Sequence, residues 1–493
     1  YSEIEKNIAC VWAEVLGLEE ININESFFEL GGNSINAIEV LAKLRDKYDV
    51  SMNNIFEHPT IYSLAQNISL KNDSVKLRIE QIKELLLNNL NQRNEELPET
   101  EDYNQRLAKC NEIDLDKKKK YENILLTGAT GFLGSYLLRD LLINTDSVIY
   151  ILIRGKDYEE AKRKCESKFS YYFDEDLIAK YNERVVIVNG DLRYDRFGLD
   201  IELYDKLSRK IDCIIHSAAI VKHYGIYSEF YEINVKGTER LLKFSQTGRD
   251  KDFNHISTTG IAFANIEGRE RVLFTEYDFD FGQKLTNVYA QTKFLAEEMV
   301  YKARENGLNA NIFRIGNIVG DSKTGVFQLN IEENAVYSLL RSLIKLDYVP
   351  NWHYNNMEIS FIDYISKAIV LLFNRLGIMN HTHHIYNPNL VNINNLSEVF
   401  SHLGYNKKSM QLVDYLDYLY DVYRNNENKT LKKMVEVMFL HLGIFDEELS
   451  RTEIILRCDK TSLILSKLGF EWPEINDEHI KIMIDYCKKV NFI

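Results

Sequence analysis

Tyr289 and Lys293 stand four residues apart in the sequence Tyr-Ala-Gln-Thr-Lys. On a helix this spacing places both side chains on one face, so a phenol and an ammonium can enter the same site. The pKa of a phenol is ordinarily about 10, which makes the group a reluctant proton donor. A neighbouring ammonium lowers that pKa. A strand-like run upstream ends in Ser257, Thr258 and Thr259, which offer further hydroxyls. A threonine hydroxyl, the phenol and the ammonium together suit protonation of an oxygen that gains charge when hydride attacks a carbonyl carbon.

A second pair with this spacing, Tyr158 and Lys162, shows that the motif also arises by chance in a chain with 30 tyrosines. This pair lies just after the second strand-like run of its region, too early to reach the reacting end of a dinucleotide. The pair at 289 and 293 instead follows a run that ends in Ser-Thr-Thr. We therefore assign proton transfer to Tyr289 and treat Tyr158 as a surface residue.

A glycine-rich segment follows the strand-like run at 124–127 and leads into an apolar helix. A strand, a glycine turn and a helix form the usual pyrophosphate site of dinucleotide-binding folds, because backbone amides and the positive helix end approach the phosphates. The spacing here is GxxGxxG, one residue different from the commonest fingerprint. The residues expected to contact the dinucleotide are Gly128, Thr130, Gly131, Phe132, Leu133 and Gly134.

The next strand-like run, 147–153, indicates which dinucleotide is bound. It leads to Arg154, about 20 residues after the last glycine, where NAD sites ordinarily carry Asp or Glu. A guanidinium grips a 2′-phosphate with two hydrogen bonds, whereas a carboxylate repels it. Arg163 and Lys164 on the following helix add positive charge. The sequence therefore favours NADPH over NADH; the alternative is that Arg154 is only an exposed residue at a strand end.

Two further strand-like runs end in residues that suit the cofactor. The run at 184–188 leads to Asp191 and Leu192, where the carboxylate is expected to bond the adenine. The run at 213–216 leads to small residues that let a cofactor lie close to the backbone. These small residues are Ser217, Ala218 and Ala219.

Ser34 follows two glycines at the start of a predicted helix. Serine is a preferred helix N-cap, so the four residues Gly-Gly-Asn-Ser alone favour a capping role. The glycines also let the backbone turn tightly and leave the hydroxyl unshielded, which suits covalent modification. The surrounding sequence decides between the two roles.

The elements that position these residues fall into four stretches. Residues 1–70 predict a small bundle of helices, and residues 71–120 predict a polar linker with one helix. Residues 121–370 alternate strand-like runs with helices, the pattern of a parallel sheet covered on both faces. Residues 371–493 are richer in helix and turn patterns. The predicted fold class is α/β: a small N-terminal four-helix bundle, a Rossmann-like doubly wound parallel sheet and a smaller helix-rich C-terminal subdomain.

Composition excludes several classes of protein. The 493 residues carry 60 Lys and Arg against 74 Asp and Glu, a net charge of −14, which lacks the electrostatic footprint of a general nucleic-acid binder. No apolar run approaches the roughly 18 residues of a membrane span, and no signal peptide is visible. The six scattered cysteines fit reduced thiols in the cytoplasm. We therefore expect the protein to bind neither nucleic acid nor membrane. We also expect the chain to be a piece of a longer polypeptide.

Three neighbouring histidines raise the question of a metal site. They are His381, His383 and His384. No cysteine or carboxylate lies nearby in sequence, and the residues that follow them are strand-like. We therefore expect loop and strand residues here, and no bound metal.

Residues 1–70 closely resemble the carrier-protein domain of nonribosomal peptide synthetases. The likeness rests on Phe-Phe-Glu-Leu-Gly-Gly at 27–32 and on Ile-Phe-Glu-His-Pro-Thr-Ile at 55–61. In that family the serine after the glycines carries a 4′-phosphopantetheine arm, so the resemblance implies that Ser34 is the attachment site. Asn33 stands where Asp or His is common, which is expected to shift partner choice without abolishing modification.

Residues 121–493 resemble the thioester reductase domain that ends some nonribosomal peptide synthetases. This domain is an extended short-chain dehydrogenase/reductase, and carboxylic acid reductases and aminoadipate reductases share it. The likeness is strongest up to residue 363. Besides the glycine turn, it rests on the segments 148–154, 216–219, 234–238, 257–258, 289–293 and 313–321.

The reductase resemblance implies roles for individual residues. It makes Thr258, Tyr289 and Lys293 the catalytic set, with the lysine also bonding the nicotinamide ribose, and it adds Asn234 to the cofactor site. A one-residue slip in the match would make Thr259 the active hydroxyl. By the same analogy, the helical pattern at 414–423 is expected to contribute to a substrate lid.

Together the two resemblances imply NADPH-dependent release of an acyl or peptidyl thioester from the arm, giving an aldehyde that a second hydride could turn into an alcohol. The implied partners are the tethered thioester, upstream adenylation and condensation domains, and a phosphopantetheinyl transferase. The alternatives are redox-silent cyclising release, a carboxylic acid or aminoadipate reductase fragment, a non-enzymatic docking module, and a sugar-nucleotide epimerase or dehydratase. The retained Tyr289 argues against cyclising release, and the adjoining carrier argues against the sugar-nucleotide enzymes.

Overall fold

A computed structural model describes residues 2–45, 47–70, 75–89, 100–222, 225–351, 356–444 and 452–493. Across these ranges, none of the helices combines the length and the apolar character needed to cross a membrane. Nor do three or more His, Cys, Asp or Glu side chains of the described residues converge in a way that could hold a metal ion.

Four helices form a bundle in the described part of residues 1–70. They are α1 (Glu3–Leu16), α2 (Ser34–Leu44), α3 (Met52–Glu57) and α4 (Ile61–Asn67), accompanied by the short strands β1 (Tyr48–Asp49) and β2 (Ser69–Leu70). The core contains Trp12 and Phe27, whose ring centroids lie 4.8 Å apart. Helix α2 begins at Ser34 because the Asn33 side chain caps it, accepting hydrogen bonds from the amides of residues 35 and 36.

Two helices, rather than the one predicted, lie in the described parts of 71–120. They are α5 (Val75–Asn89) and α6 (Thr100–Lys109). Helix α6 is mostly polar, so the sequence assigns it to the linker. It is stabilised instead by a 2.8 Å ion pair between Asp102 and Arg106, and by a 2.9 Å hydrogen bond from the Tyr103 hydroxyl to Asp459.

Strands and helices then alternate, as the sequence predicts. The strands from residue 121 to 385 are β3 (Asn123–Thr127), β4 (Val148–Ile153), β5 (Val185–Asn189), β6 (Cys213–His216), β7 (Asp252–Thr258), β8 (Arg271–Phe274), β9 (Ala310–Ile315), β10 (Ile318–Val319), β11 (Tyr348–Asn351), β12 (Asn356–Met357), β13 (Ser360–Phe361) and β14 (Thr382–Ile385). The helices are α7 (Phe132–Asn144), α8 (Tyr158–Tyr172), α9 (Leu177–Lys180), α10 (Ile201–Lys210), α11 (Tyr227–Phe230), α12 (Gly237–Ser245), α13 (Val288–Glu305), α14 (Ala335–Lys345) and α15 (Ile362–Leu372).

Seven of these described strands form one parallel sheet, in the order β14-β9-β7-β6-β3-β4-β5. Buried apolar clusters cover both of its faces. The chain runs outward from β3 to β5 and then returns to β6 beside β3. This reversal opens a crevice at the carboxyl ends of β3 and β6, which is where dinucleotides bind in doubly wound sheets.

The sheet extends beyond residue 370, where the sequence placed the start of the C-terminal part. Strand β14 pairs with β9, and its residues His383 and His384 are fully buried. The remaining elements are β15 (Val391–Asn392), β16 (Lys408–Gln411), β17 (Glu453–Leu456), α16 (Leu396–His402), α17 (Leu412–Asn425), α18 (Lys429–His441), α19 (Asp459–Lys467) and α20 (Asp477–Lys489). The C-terminal part is helix-rich, as predicted, but it also completes the sheet.

Candidate active site

The predicted threonine and tyrosine meet at the end of strand β7. Thr258 is its last residue and is 9% exposed, and Tyr289 lies half-buried in the first turn of α13. The Thr258 hydroxyl accepts a 3.0 Å hydrogen bond from the Gly260 amide, so its own proton is available for donation. Burial raises the pKa of Tyr289 to about 12, although the hydrogen bond with Thr258 opposes the rise. The phenol therefore stays protonated near neutral pH, as a proton donor must.

Thr259, the alternative hydroxyl, is engaged elsewhere. Its Oγ1 donates a 3.4 Å hydrogen bond to the Ile315 carbonyl on β9, and the residue is buried. The geometry therefore brings Thr258, rather than Thr259, to Tyr289.

Lys293 lies one helical turn beyond Tyr289, but its ammonium is bonded to strand β7. Nζ donates to the Ile256 carbonyl at 2.6 Å and lies 3.2 Å from His255 Nε2. Burial lowers the pKa of Lys293 to about 7, and the Glu297 carboxylate opposes this shift. The expected lowering of the phenol pKa by the lysine is thus replaced by a rise, because desolvation of the phenol outweighs the opposing hydrogen bond with Thr258.

A buried ion pair, which the sequence did not predict, locks the helix of the tyrosine to the sheet. Glu297 on α13 accepts hydrogen bonds from Ser257 at 2.6 Å and from Arg314 Nε at 2.8 Å. Glu297 and Arg314 are fully buried. The serine beside Thr258 therefore serves this network. The Ser-Thr pair and the arginine at the end of β9 were the only sequence signals for it.

The glycine turn packs closely against the neighbouring backbone, with no space for side chains at two of its glycines. Gly128 has a φ of +76°, and a Cβ there would lie 2.7 Å from the Ala218 amide nitrogen. A Cβ at Gly134 would overlap the Gly128 carbonyl, so helix α7 packs directly onto the turn. Thr130 is partly exposed in this turn, and Gly131 caps α7 without a side chain. The residues fit the pyrophosphate role predicted for them.

The next two predicted residues have different surroundings. The Phe132 ring packs into an aromatic cluster, with centroids 5.0 Å from Phe327 and 5.4 Å from Tyr172. Leu133 is buried in the sheet core. Only their backbone amides, at the start of α7, face the direction expected for phosphate binding.

The loop after β6 is fixed by a chain of hydrogen bonds through a buried histidine. The Ala218 amide donates to Thr127 Oγ1 at 3.3 Å, and Thr127 donates to His216 Nδ1 at 2.8 Å. His216 Nε2 donates to Thr238 at 3.0 Å, and Thr238 donates to the Asn234 carbonyl at 2.6 Å. Burial, assisted by the charge of a nearby lysine, lowers the pKa of His216 to about 3. A neutral imidazole therefore holds the segment predicted to face the cofactor.

Asn234 supports the same loop from the other side. Its side-chain oxygen accepts from the Ile220 amide at 2.8 Å, and its side-chain nitrogen donates to the Ile220 carbonyl and to Thr292, both at 3.1 Å. The residue sits in a π-helical turn, a distortion that is common at functional sites. These bonds occupy the side chain, so in this structure Asn234 positions the loop that includes Ser217 and Ala219.

The two arginines expected to bind a 2′-phosphate are exposed. Arg154 follows the strand directly, and Arg163 lies on α8. Neither forms an ion pair with another described residue. Lys164, by contrast, binds Glu160 at 2.6 Å and the Arg154 carbonyl at 3.0 Å. The two guanidinium groups thus remain available for an anion.

Asp191 follows β5, at the same sheet edge, but its carboxylate is already bonded. Arg193 donates to it from Nη2 at 2.7 Å and also through its backbone amide. Although burial opposes ionisation, these hydrogen bonds hold the pKa of the Asp191 carboxyl below its usual value. Leu192 beside it is buried. The predicted adenine contact would therefore involve a carboxylate that Arg193 already orients.

The N-terminal helical bundle rests on the C-terminal helices and on the start of α13. The Tyr423 hydroxyl of α17 donates to the Ala42 carbonyl of α2 at 3.2 Å, and the Asn53 side chain donates to the Thr286 carbonyl at 3.1 Å. Helix α2 also packs on α18, and their buried side chains belong to one apolar cluster. Helix α5 joins this contact through an ion pair between Lys83 and Asp417. The side chain of Ser34 lies outside the described residues.

Comparisons with known proteins match both parts of the chain. Residues 126–369 match the NAD-binding family described as Male sterility protein, and residues 6–68 match the family described as Phosphopantetheine attachment site. The structure of a thiolation-reductase di-domain from an archaeal nonribosomal peptide synthetase is 25% identical, covers 100% of this chain and 98% of its own, and superimposes with a TM-score of 0.76. The chain is a carrier–reductase didomain.

Two curated relatives of the didomain are much longer proteins. A linear gramicidin synthase of Brevibacillus parabrevis is 29% identical over 96% of this chain, which spans 9% of that protein. The L-2-aminoadipate reductase of Penicillium chrysogenum, in its large subunit, is 30% identical over 75% of this chain, which spans 27% of it. The carrier domain thus takes phosphopantetheine, and the reductase domain is of the NAD(P)-dependent short-chain dehydrogenase type.

Proposed function

We propose that the didomain releases an acyl or peptidyl chain from its carrier by reducing the thioester to an aldehyde with NADPH. The observation that carries this function is the hydroxyl pair of Thr258 and Tyr289 at the carboxyl edge of the sheet, in a reductase domain on which its own carrier is docked. The context is a nonribosomal peptide synthetase, in which the chain would act on substrates handed down by other domains.

The chemistry requires a place for negative charge on oxygen. NADPH supplies a hydride to the thioester carbon, and the carbon–sulfur bond breaks to give an aldehyde and a thiol, with one proton consumed overall. Thr258 and Tyr289 would bind the carbonyl oxygen as its charge grows, and Tyr289 would deliver the proton. Lys293 would hold the nicotinamide ribose.

The thioester would be carried on a 4′-phosphopantetheine arm attached to Ser34, the first residue of α2. A phosphopantetheinyl transferase would install the arm, and upstream adenylation and condensation domains would load it. NADPH rather than NADH is favoured by the two exposed guanidinium groups of Arg154 and Arg163. We place the reaction in the cytoplasm, where reduced thiols and NADPH are both available.

Two alternatives are kept as outcomes of the test. Redox-silent cyclising release does not need a proton donor, and the protonated phenol of Tyr289 beside Thr258 favours reduction. Further reduction of the aldehyde to an alcohol would use the same site.

The deciding experiment loads the didomain with acyl-phosphopantetheine from acyl-coenzyme A and a transferase, and follows NADPH absorbance and product mass. We expect NADPH oxidation with release of an aldehyde or alcohol, and a much slower reaction with NADH. The Ser34→Ala variant should lose turnover of loaded substrate but still reduce a free thioester analogue. Release of a product at the oxidation level of the acid, with no NADPH consumed, would overturn the reductive assignment.

A further inference from the structure

The ammonium of Lys293 has a partner that the proposed reaction does not use. His255 lies on β7, three residues before Thr258, and is fully buried. Its Nε2 is 3.2 Å from Lys293 Nζ, which also donates to the Ile256 carbonyl at 2.6 Å. An ammonium has three N–H donors, so two face the protein and one remains.

The imidazole has no second polar partner among the described residues. Its Nδ1 is buried there without a hydrogen bond, and its ring lies against aromatic rings, at centroid distances of 5.5 Å from His216 and 6.3 Å from Phe253. Burial and the positive charge of Lys293 hold the pKa of His255 well below its usual value. A buried ring nitrogen without a hydrogen bond lowers the stability of the fold. The contact with Lys293 is the polar interaction that the ring makes in return.

We propose that His255 is a positioning residue for Lys293, accepting a hydrogen bond at Nε2 and thereby keeping the lysine charged and oriented, with its third N–H left for the cofactor. The role rests on the proposed function, in which Lys293 holds the nicotinamide ribose. Two protein acceptors, the imidazole and the Ile256 carbonyl, fix the ammonium before any ligand binds.

Other charged groups around Lys293 do not replace this acceptor. Glu297 is on the same helix, but Ser257 and Arg314 occupy its oxygens. His216 on β6 is neutral and bonded to two threonines. The Tyr289 phenol stays protonated. Removing the imidazole therefore removes a direct acceptor that none of these groups supplies.

The consequence is a shift in the titration of the lysine. A hydrogen bond that favours the charged form raises the pKa of the group that donates it. Without the bond, Lys293 should lose its proton about one pH unit lower or more. A glutamine at 255 can reach Nζ with its amide oxygen, whereas the shorter asparagine cannot, so the two amides form a matched pair.

The test is an NMR titration of the full didomain without cofactor, using lysine labelled at Cε and assigning Lys293 by its loss in Lys293→Arg. His255→Gln should titrate like the wild type, and His255→Asn and His255→Leu about one pH unit lower. Equal midpoints in all folded variants would overturn the proposal. Thermal unfolding shows whether each variant folds. If His255→Leu does not fold, the comparison of His255→Gln with His255→Asn still tests the proposal. This readout needs no turnover, so it stands apart from failure of the reductase assay.

A second readout follows if the didomain reduces its loaded substrate. The alkaline limb of kcat/KM against pH should move to lower pH by the same amount in His255→Asn, and stay in place in His255→Gln. An equal loss of rate at every pH in the asparagine variant would indicate a merely structural role and count against positioning.

Discussion

The Asn53 side chain of the carrier domain donates a hydrogen bond to the Thr286 carbonyl, three residues before Tyr289 on the chain. The contact joins the domain that delivers the substrate to the segment leading into the helix of the proposed proton donor. Asn287 follows Thr286 and caps this helix by accepting from the Ala290 amide at 3.1 Å. Docking and the position of Tyr289 are therefore connected through two consecutive residues.

Loss of that contact should slow only tethered substrate. Asn53→Ala removes one exposed hydrogen bond, so we expect the single-turnover rate of the loaded didomain to fall by roughly two- to tenfold. Reduction of a free thioester analogue should not change. Asn24→Ala, at an exposed asparagine elsewhere on the carrier, is the control. An equal loss on free and tethered substrates would mean that the contact acts on the helix and not on docking.

Tyr289→Phe should abolish most reduction while leaving NADPH bound. Removing a positioned proton donor costs roughly 100- to 10,000-fold in rate. Stopped-flow measurement of NADPH oxidation, with fluorescence titration of NADPH binding, separates the two effects. Tyr158→Phe changes the exposed tyrosine of the other Tyr-Lys pair and should behave like the wild type. Near-normal turnover in Tyr289→Phe would remove the phenol from the mechanism.

The two threonines should differ sharply. Thr258→Val deletes the hydroxyl that bonds the phenol, and we expect a loss of roughly 100-fold or more in kcat. Thr259→Val deletes a hydroxyl that bonds the Ile315 carbonyl, and we expect a loss of less than about fivefold with a small decrease in stability. The comparison is made on kcat with saturating NADPH. The reverse ranking would identify Thr259 as the active hydroxyl.

Cofactor choice should depend on Arg154. Arg154→Ser removes a charge-assisted grip on the 2′-phosphate, so KM for NADPH should rise roughly 10- to 100-fold while KM for NADH stays within about twofold. Arg163→Ser should have a smaller effect of the same sign. Lys162→Ser, at an exposed lysine on the same helix, is the control. If Arg154→Ser weakened the binding of both cofactors equally, the guanidinium would not be the group that recognises the 2′-phosphate.

Glu436 should make the stability of the protein depend on pH. It lies on α18, 3% exposed, and one carboxylate oxygen has no partner among the described residues. Burial, together with the charge of Glu39 on the carrier, raises the pKa of Glu436 to about 8, although nearby lysines oppose the rise. Below its ordinary pKa the carboxyl is protonated in both the folded and the unfolded protein, so its ionisation does not change the free energy of unfolding.

Between the ordinary pKa of a glutamate and about pH 8, only the unfolded protein releases the proton of Glu436. The free energy of unfolding should therefore fall as pH rises through this range and level off above about pH 8. Glu436→Gln should remove this slope and stabilise the protein at alkaline pH by on the order of a few kcal/mol. Denaturant unfolding across the pH range measures it, with the exposed Glu427→Gln as control. A wild-type slope retained in Glu436→Gln would assign it to other groups.

Local sequence was enough to predict the glycine turn and the strands on either side of it, because the residues that define them are adjacent in the chain. It predicted strand residues around β14, but it could not predict that this strand joins the sheet, because β14 does so by pairing with β9 across about 70 residues of chain. The spacing of Tyr289 and Lys293 predicted a shared helical face. It could not predict that the Lys293 ammonium contacts His255, since this contact depends on how α13 packs against β7.

The apolar surface shared by α2 and α18 has a consequence for building hybrid synthetases. Val40 and Leu41 of the carrier belong to the same buried cluster as Val435 and Met438 of the reductase domain. A fusion point chosen between the domains, within residues 71–120, would set a foreign carrier against a surface shaped for this one. A fusion point ahead of α1 keeps the matched pair together, so the unit to transplant is the didomain and not the reductase alone.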